Sequence, residues 1–303
     1  MSTLKNDNRQ ASAEIETKDN IPLGVLYGLS AFALLAAMSA FAKLLYNNDH
    51  HVIAIAFYRN ALFAVPLIAY ILIKKRPDLI KTKKPKLMAL RVFIGSTGLI
   101  ITFKAISMLP LSDATMLFFT SVLFTPALAY FFLKEKIGIH RWGAIFIGLL
   151  GVAIIVGPSG QIPLLGGLVA IIAAVTHAGA QTVLRGLKTE SSFTVTLYFT
   201  IGASFFCALF MPFVGKIPSG IDYAYILGIA LSGGFAQLCL SSSLRLAPAT
   251  LISPLTFTGL LWTTLFDIFI WHDTPGWPIY LGAALIMTAQ LYILYREKLK
   301  SRT

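Results

Sequence analysis

Acidic residues are scarce in this chain: 13 Asp and Glu stand among 303 residues, and charged residues of both signs make up only 13%. A soluble domain carries about 25%, so a protein wetted by charge on every side is excluded. Cysteine is nearly missing too. Cys207 and Cys239 both sit inside apolar stretches, which leaves neither a disulfide framework nor a cysteine-based metal site. There is no phosphate-binding loop, no HExxH, no Gly-x-Ser-x-Gly and no pair of carboxylates within the apolar runs. ATP-driven pumping falls with the first of these, and neither a cofactor nor a catalytic residue is expected.

What the chain has is apolar length: 56% of its residues are hydrophobic and its mean hydropathy is +0.76. A bilayer core about 30 Å thick takes about 20 apolar residues per helical crossing. Apolar runs are read at 22–46, 52–73, 87–108, 111–133, 142–157, 163–185, 193–214, 221–244, 249–271 and 276–295, leaving no room for an extramembrane domain. Because backbone in lipid must satisfy its own hydrogen bonds, these runs predict helices. The fold class expected is an all-α polytopic membrane protein with ten transmembrane helices. Breakers mark the boundaries, among them Asn47-Asn48-Asp49, Leu109-Pro110, Pro218-Ser219-Gly220 and Pro275-Gly276. Residues 1–20 are polar, without the apolar core and small-residue cleavage site of a signal peptide, and read as a flexible cytoplasmic tail. Residues 296–303 read as a basic one.

The net charge of +12 would point to nucleic acid in a soluble protein. In a membrane protein it records orientation, because basic residues stay in cytoplasmic loops. Of the 25 Lys and Arg, Lys43, Arg59 and Lys104 fall within spans and Lys216 stands alone in a loop on one side. The other 21, including Lys74 to Lys86 and Arg91 in the second-to-third connection, lie on the side of the two termini. Both termini are therefore expected in the cytoplasm, across a bacterial inner membrane. The partners expected are the lipid bilayer and a small-molecule solute, with no nucleic acid; monomer and homodimer both stay open.

The halves of the chain resemble each other. Ile21-Pro22-Leu23-Gly24 opens the first span and Ile162-Pro163-Leu164-Leu165-Gly166 the sixth; Leu111-Ser112-Asp113-Ala114-Thr115 opens the fourth where Leu246-Ala247-Pro248-Ala249-Thr250 opens the ninth. Five spans per half, an odd number, force the second half to enter the membrane in the opposite sense. The expected organisation is two inverted five-helix repeats, 21–157 and 161–295, with a solute site near the midplane. Gly24, Gly28, Ala33 and Ala37 in the first span, and Ala170, Ala174 and Ala178 in the sixth, recur at four-residue spacing. This predicts close approach of those two helices.

Several stretches carry a family resemblance: Phe57-Tyr58-Arg59, Lys104 to Thr115, Phe131 to Lys136, Arg141-Trp142-Gly143-Ala144, Gly148 to Val152, and Ala249 to Phe257 followed by Trp271-His272-Asp273-Thr274-Pro275. In this order they resemble the EamA family of the drug/metabolite transporter superfamily over residues 22 to 295. The departures are Val122, where the family often has Pro, and Asp273 in place of its usual Glu. The resemblance implies transport of a small organic metabolite such as an amino acid, a nucleotide-like compound like S-adenosylmethionine, a vitamin or an amphipathic drug.

Charges within spans are costly and commonly face a cavity or a partner. Arg59 is the first candidate for the solute pathway, and Lys43 and Lys104 are either pathway residues or stems snorkelling to the interface. Asp267, a carboxylate well inside an apolar run, is either a proton carrier or a fixed partner for Lys43, Arg59 or Lys104. His177, Gln181 and Arg185 recur every four residues on one stripe of the sixth helix, which faces the pathway or forms a polar seam. Gln237 and Trp262 complete the candidates. The function expected is secondary transport by alternating access; the rival is an intramembrane enzyme or lipid-handling protein.

Overall fold

The computed structural model describes residues 21–121, 123–124, 128, 139–156, 163–187, 190–247 and 252–300. All regular secondary structure among them is helical. The first half holds α1 (Ile21–Asn47), α2 (Val52–Lys74), α3 (Pro85–Met108), α4 (Leu111–Phe119) and α5 (Ile139–Val156). The second holds α6 (Leu164–Gly186), α7 (Ser192–Ala208), α8 (Asp222–Leu246), α9 (Thr258–Phe266) and α10 (Trp277–Lys300), with a single further turn at Met211–Val214. Five stretches among the described residues are long and apolar enough to cross a membrane: Ile21–Asn47, Val52–Lys74, Pro85–Met108, Leu164–Leu184 and Asp222–Leu240. The fourth span read from the sequence, 111–133, lies partly outside the described residues, as do both tails, Val122 and the side chain of Arg185.

The sequence explains where the helices stop. Asp49 and His272, just past α1 and past the α9 segment, take left-handed conformations with φ of 62° and 57°, and Lys75 ends α2 in the same way at 50°. Pro85 opens α3, where its missing N–H is not needed. The ninth span is not the single helix expected over 249–271. It comprises a 3₁₀ turn over Ser253–Phe257, α9, and a π-helical turn over Asp267–Trp271. Pro254 favours the tight first turn, and the wider last turn is the kind of local irregularity that clusters at functional sites.

Helix pairing obeys a rule. α1 packs along α8, α3 along α6, α2 along α7, α4 along α9 and α5 along α10; α1 also meets α9, and α4 meets α6. Replacing each helix by its counterpart in the other half returns these seven pairs, although α1 and α2 also pack against α3 without an equivalent packing of α6 and α7 against α8 among the described residues. Single residues follow the rule. His51 Nδ1 caps α2 by accepting from Ile53 N, and Ser191 Oγ caps α7 by accepting from Phe193 N. Tyr58 Oη donates to the Lys216 carbonyl, and Tyr198 Oη to the Ile80 carbonyl. Arg59 lies against Gly233 of α8, as Phe199 lies against Gly95 of α3. Since Tyr58 reaches the segment that follows α7, and Tyr198 the segment that follows α2, these two helices run antiparallel and the corresponding contacts fall at opposite ends.

The small-residue stripe of α1 faces a different neighbour from the one expected. Gly24 and Gly28 meet Ala247, Ser243 and Leu255 rather than α6, and Ser243 Oγ donates to the Gly24 carbonyl at 2.7 Å. α6 packs on α3 through other residues, with Gly98 of α3 touching Thr176 and Gly179 facing Ile94. Four-residue spacing licenses close approach without naming the partner. A Cβ on Gly24 would stand 2.7 Å from Ala247 Cβ and 3.1 Å from its backbone nitrogen. Gly24→Leu should therefore cost about 1–3 kcal/mol through overpacking, read as a lower unfolding midpoint in detergent. Gly143→Ala, with nothing within 4 Å of its added methyl, should cost nothing.

Candidate functional site

Two arginines meet in the interior. Taking the helical rise of about 1.5 Å per residue, Arg59 stands about 10 Å below the Val52 end of α2, and Arg91 about 9 Å from the Pro85 end of α3. They approach from opposite faces of the bundle, closely enough for their charges to repel. Arg59 donates to Asn60 Oδ1 at 2.9 Å and from Nε to Met38 Sδ at 3.1 Å. The Arg91 guanidinium stacks 4.6 Å from the centre of the Phe199 ring. Its Nε and Nη1 are buried without a hydrogen-bond acceptor. Among the described residues no carboxylate pairs with either arginine. The charge partition counts Arg91 with the loop cations although the apolar run 87–108 includes it; the structure sets it six residues inside α3, which Pro85 opens.

His177 and Gln181 of α6 lie near this pair, and the Arg91 charge acts on His177. Their side chains are 3.3 Å apart. Both residues are exposed, yet at about 100° per residue they fall on the same side of α6 as the buried Ala170, Ala173 and Ala174. The opposite side carries Leu168, Ile172 and Val175, whose exposure is to the surroundings of the bundle. The exposed surface of His177 and Gln181 therefore belongs to a space inside the protein. Gln237 repeats the pattern on α8: it is exposed, but lies between the buried Ala230, Gly233 and Gly234 and away from the exposed Leu227, Leu231 and Leu238.

A second constellation closes one end of the bundle. Asp267, 0% exposed, accepts from the backbone N–H of Leu111 at 2.9 Å, and from the N–H and hydroxyl of Ser112 at 2.7 and 2.8 Å. It thus caps the first turn of α4, where a carboxylate also meets the positive end of the helix dipole. Lys43 Nζ of α1 lies 3.7 Å from the same carboxylate and 4.5 Å from the centre of the Trp271 ring. Three helical segments are joined at one point, and of the three cations considered for Asp267 the structure pairs it with Lys43. Beside this lock a cavity of about 300 Å³ is lined by Ser112, Asp113, Asp273 and Thr274 among others. Lys104 is exposed, with its ammonium 5.7 Å from the Tyr46 ring centre, and stands apart from both constellations. Trp262 is 40% exposed, at the boundary of α9 between the exposed Leu261 and Leu265 and the buried Gly259 and Thr263.

Loop clasps lie at both ends. At the Lys43 end, Asp222 accepts from Asn48 Nδ2 at 2.8 Å and from Ser219 N at 3.1 Å. The buried His50 puts Nε2 3.1 Å from the same carboxylate, and Lys216 Nζ donates to the Asn48 carbonyl at 2.7 Å. At the other end, Thr194 and Tyr198 donate to the carbonyls of Leu79 and Ile80, Lys83 N donates to Glu190 Oε1, and Lys84 Nζ to the Gly186 carbonyl.

A bundle with polar groups turned inward and clasps at both ends has the form of a solute carrier, and comparison with known proteins decides the matter. The sequence profile of the EamA-like transporter family matches residues 22–157 and again residues 164–295. The chain belongs to the EamA-like transporter family. Similar proteins include the S-adenosylmethionine uptake transporter of Rickettsia felis, 25% identical over 251 residues, covering 82% of this chain and 84% of that one. The riboflavin transporter of Vibrio cholerae is 24% identical, with coverage of 92% and 95%. Human solute carrier family 35 member G1 is 26% identical, with coverage of 94% and 83%. A solved crystal structure that is 15% identical matches with a TM-score of 0.64 over 91% of this chain and 98% of that one, which speaks for the fold. As an EamA-like transporter the protein is a multi-pass membrane protein, and its partner is a small-molecule solute.

Proposed function

We propose that the protein is a ten-span secondary transporter whose inverted halves, 21–157 and 161–295, carry a small organic metabolite across a bacterial inner membrane by alternating access. The observation that carries this reading is the set of contacts between the halves, α1 with α8 and α3 with α6 above all, that return to themselves when the halves are exchanged, with Tyr58 and Tyr198 clasps at opposite ends. A carrier needs such an arrangement, because one conformation opens one end and its mirror opens the other. Arg59, His177, Gln181 and Gln237 surround the solute near the midplane; Lys43 and Asp267 lock one end, while Lys104 and Trp262 contribute at the periphery. The solute class follows the relatives named for S-adenosylmethionine and riboflavin: an amino acid, a nucleotide-like metabolite or a vitamin. The alternative within the family is broad drug or metabolite efflux.

Flux into proteoliposomes tests the reading. Labelled solute should move and be recovered chemically unaltered; conversion without movement would favour the enzyme or lipid-handling rival. The termini are placed in the cytoplasm by the charge partition, so cysteines introduced at Ser159 and Gly220, in a Cys207→Ser, Cys239→Ser background, should react with an impermeant maleimide in intact cells. One at Thr82 should react only after the membrane is opened. Labelling of Thr82 in intact cells would overturn the ten-span topology. Transport should not require a proton gradient. Asp267 is committed to Lys43 and the start of α4, and the arginines stay charged at physiological pH, which leaves His177 and the buried Asp113 of α4 as candidate carriers. Accumulation driven by an imposed pH difference, and lost in His177→Ala or Asp113→Asn, would contradict this.

A further inference from the structure

Among the described residues, the bundle interior holds more positive charge than is neutralised. Arg91 Nε and Nη1 are buried without an acceptor, its guanidinium stacks on the Phe199 ring, and the charge of a second buried guanidinium, Arg59, lies close enough to repel it. Neither has a carboxylate partner among the described residues, although the same bundle supplies one to Lys43 3.7 Å away. A buried cation without an acceptor is costly, and two that repel are more so. Such an arrangement persists where an oxyanion from outside completes it, since the guanidinium fork fits carboxylate and phosphate oxygens two at a time.

We infer that Arg59 and Arg91 form a binding site for an anionic group of the solute, a carboxylate or a phosphate. The rest of the solute lies against His177, Gln181 and Gln237, whose exposed groups face the same interior and supply neutral hydrogen bonds. The inference rests on the transporter reading above and narrows its solute class: the cargo carries at least one negative group, whatever else it bears. Arg91 is the discriminating residue, since its Nε and Nη1 have no acceptor among the described residues.

A residue retained for an absent ligand burdens the empty protein, whereas a structural residue supports it, so the unfolding midpoint separates the two roles. Ligand-free Arg91→Met in detergent should unfold at a higher temperature than wild type, because repulsion and a buried unpaired charge are both removed. Succinate and inorganic phosphate, titrated at fixed ionic strength, serve as probes. One or both should raise the wild-type midpoint by binding the folded state, with apparent affinity at least tenfold weaker in Arg91→Met and in Arg59→Met. A response to succinate alone assigns the group as a carboxylate, and to phosphate alone as a phosphate. A lower midpoint for Arg91→Met, no response to either anion, or a response that survives in both variants overturns the proposal. Flux separates this from the wider reading: a solute that crosses with unchanged KM in both variants sinks the anion site and leaves the transporter standing, while a wild-type protein that moves nothing sinks the transporter.

Discussion

Proteoliposomes carrying Arg59→Ala should take up solute at less than about a tenth of the wild-type rate at equal reconstitution, while Lys216→Ala should stay within about twofold. Truncating a desolvated charge that meets a ligand costs about 2–5 kcal/mol, and each 1.4 kcal/mol is about tenfold. Arg59 is such a charge: it lies about 10 Å inside α2, packs against Gly233 and Met38, and meets Arg91 across the interior. Lys216 is a cation at the rim. Its side chain is 44% exposed, and the bond that Tyr58 makes to residue 216 uses the backbone carbonyl, which alanine retains. Initial rates of labelled-solute uptake decide the comparison. Equal activity in the two variants would move Arg59 out of the pathway and into a structural role.

The second large effect concerns Asp267. Asp267→Ala should lower the stability of the purified protein by about 3–5 kcal/mol, the usual result of removing one partner from a buried ion pair. The variant leaves Lys43 without its counterion and leaves the N–H groups of Leu111 and Ser112 without an acceptor. Asp267→Asn keeps the shape but offers one acceptor oxygen to three donors, and should fall between alanine and wild type. A cycle of Lys43→Met, Asp267→Asn and the double variant separates the lysine contact from the helix cap, because contacting residues are not additive. If the double variant equals Asp267→Asn alone, Lys43 matters to the fold only through this carboxylate; simple addition of the two losses would show that the ion pair contributes nothing.

Helix ends were legible in the sequence because the chain is sharply punctuated: Asn47-Asn48-Asp49 and Leu109-Pro110 fall where α1 and α3 end. Arg59 could be singled out as a cation too deep to snorkel, and Asp267 as a carboxylate well inside an apolar run. Its partner could not be chosen, since three cations lay within plausible reach and only packing brings α1, α4 and α9 together. Arg91 escaped notice for a physical reason. Seven basic residues stand from Lys74 to Lys86, interrupted by Pro77 to Ile80, Thr82 and Pro85, so the entry into the membrane is not marked by a sharp drop in charge. The pairing of α1 with α8 was equally hidden, because glycine at four-residue spacing lets any neighbour approach.

The two clasps have an energetic meaning. If the chain's halves were identical, the conformation open at one end and the conformation open at the other would have the same free energy, and the carrier would spend equal time in each. The Tyr58 and Tyr198 clasps come close to that condition. The Lys43–Asp267 lock departs from it, because in the register that sets Leu111 against Leu246 the position of Asp267 is held in the first half by Phe132. A bias of about 1.4 kcal/mol already sets the ratio of two such populations at tenfold. The empty carrier therefore rests mainly with the Lys43 end shut, and solute arriving from that side meets a closed door more often than solute arriving from the other. Net direction is still set by the concentration gradient, but the two half-cycles run at unequal speed: Asp267→Asn should make inward and outward half-saturation constants converge.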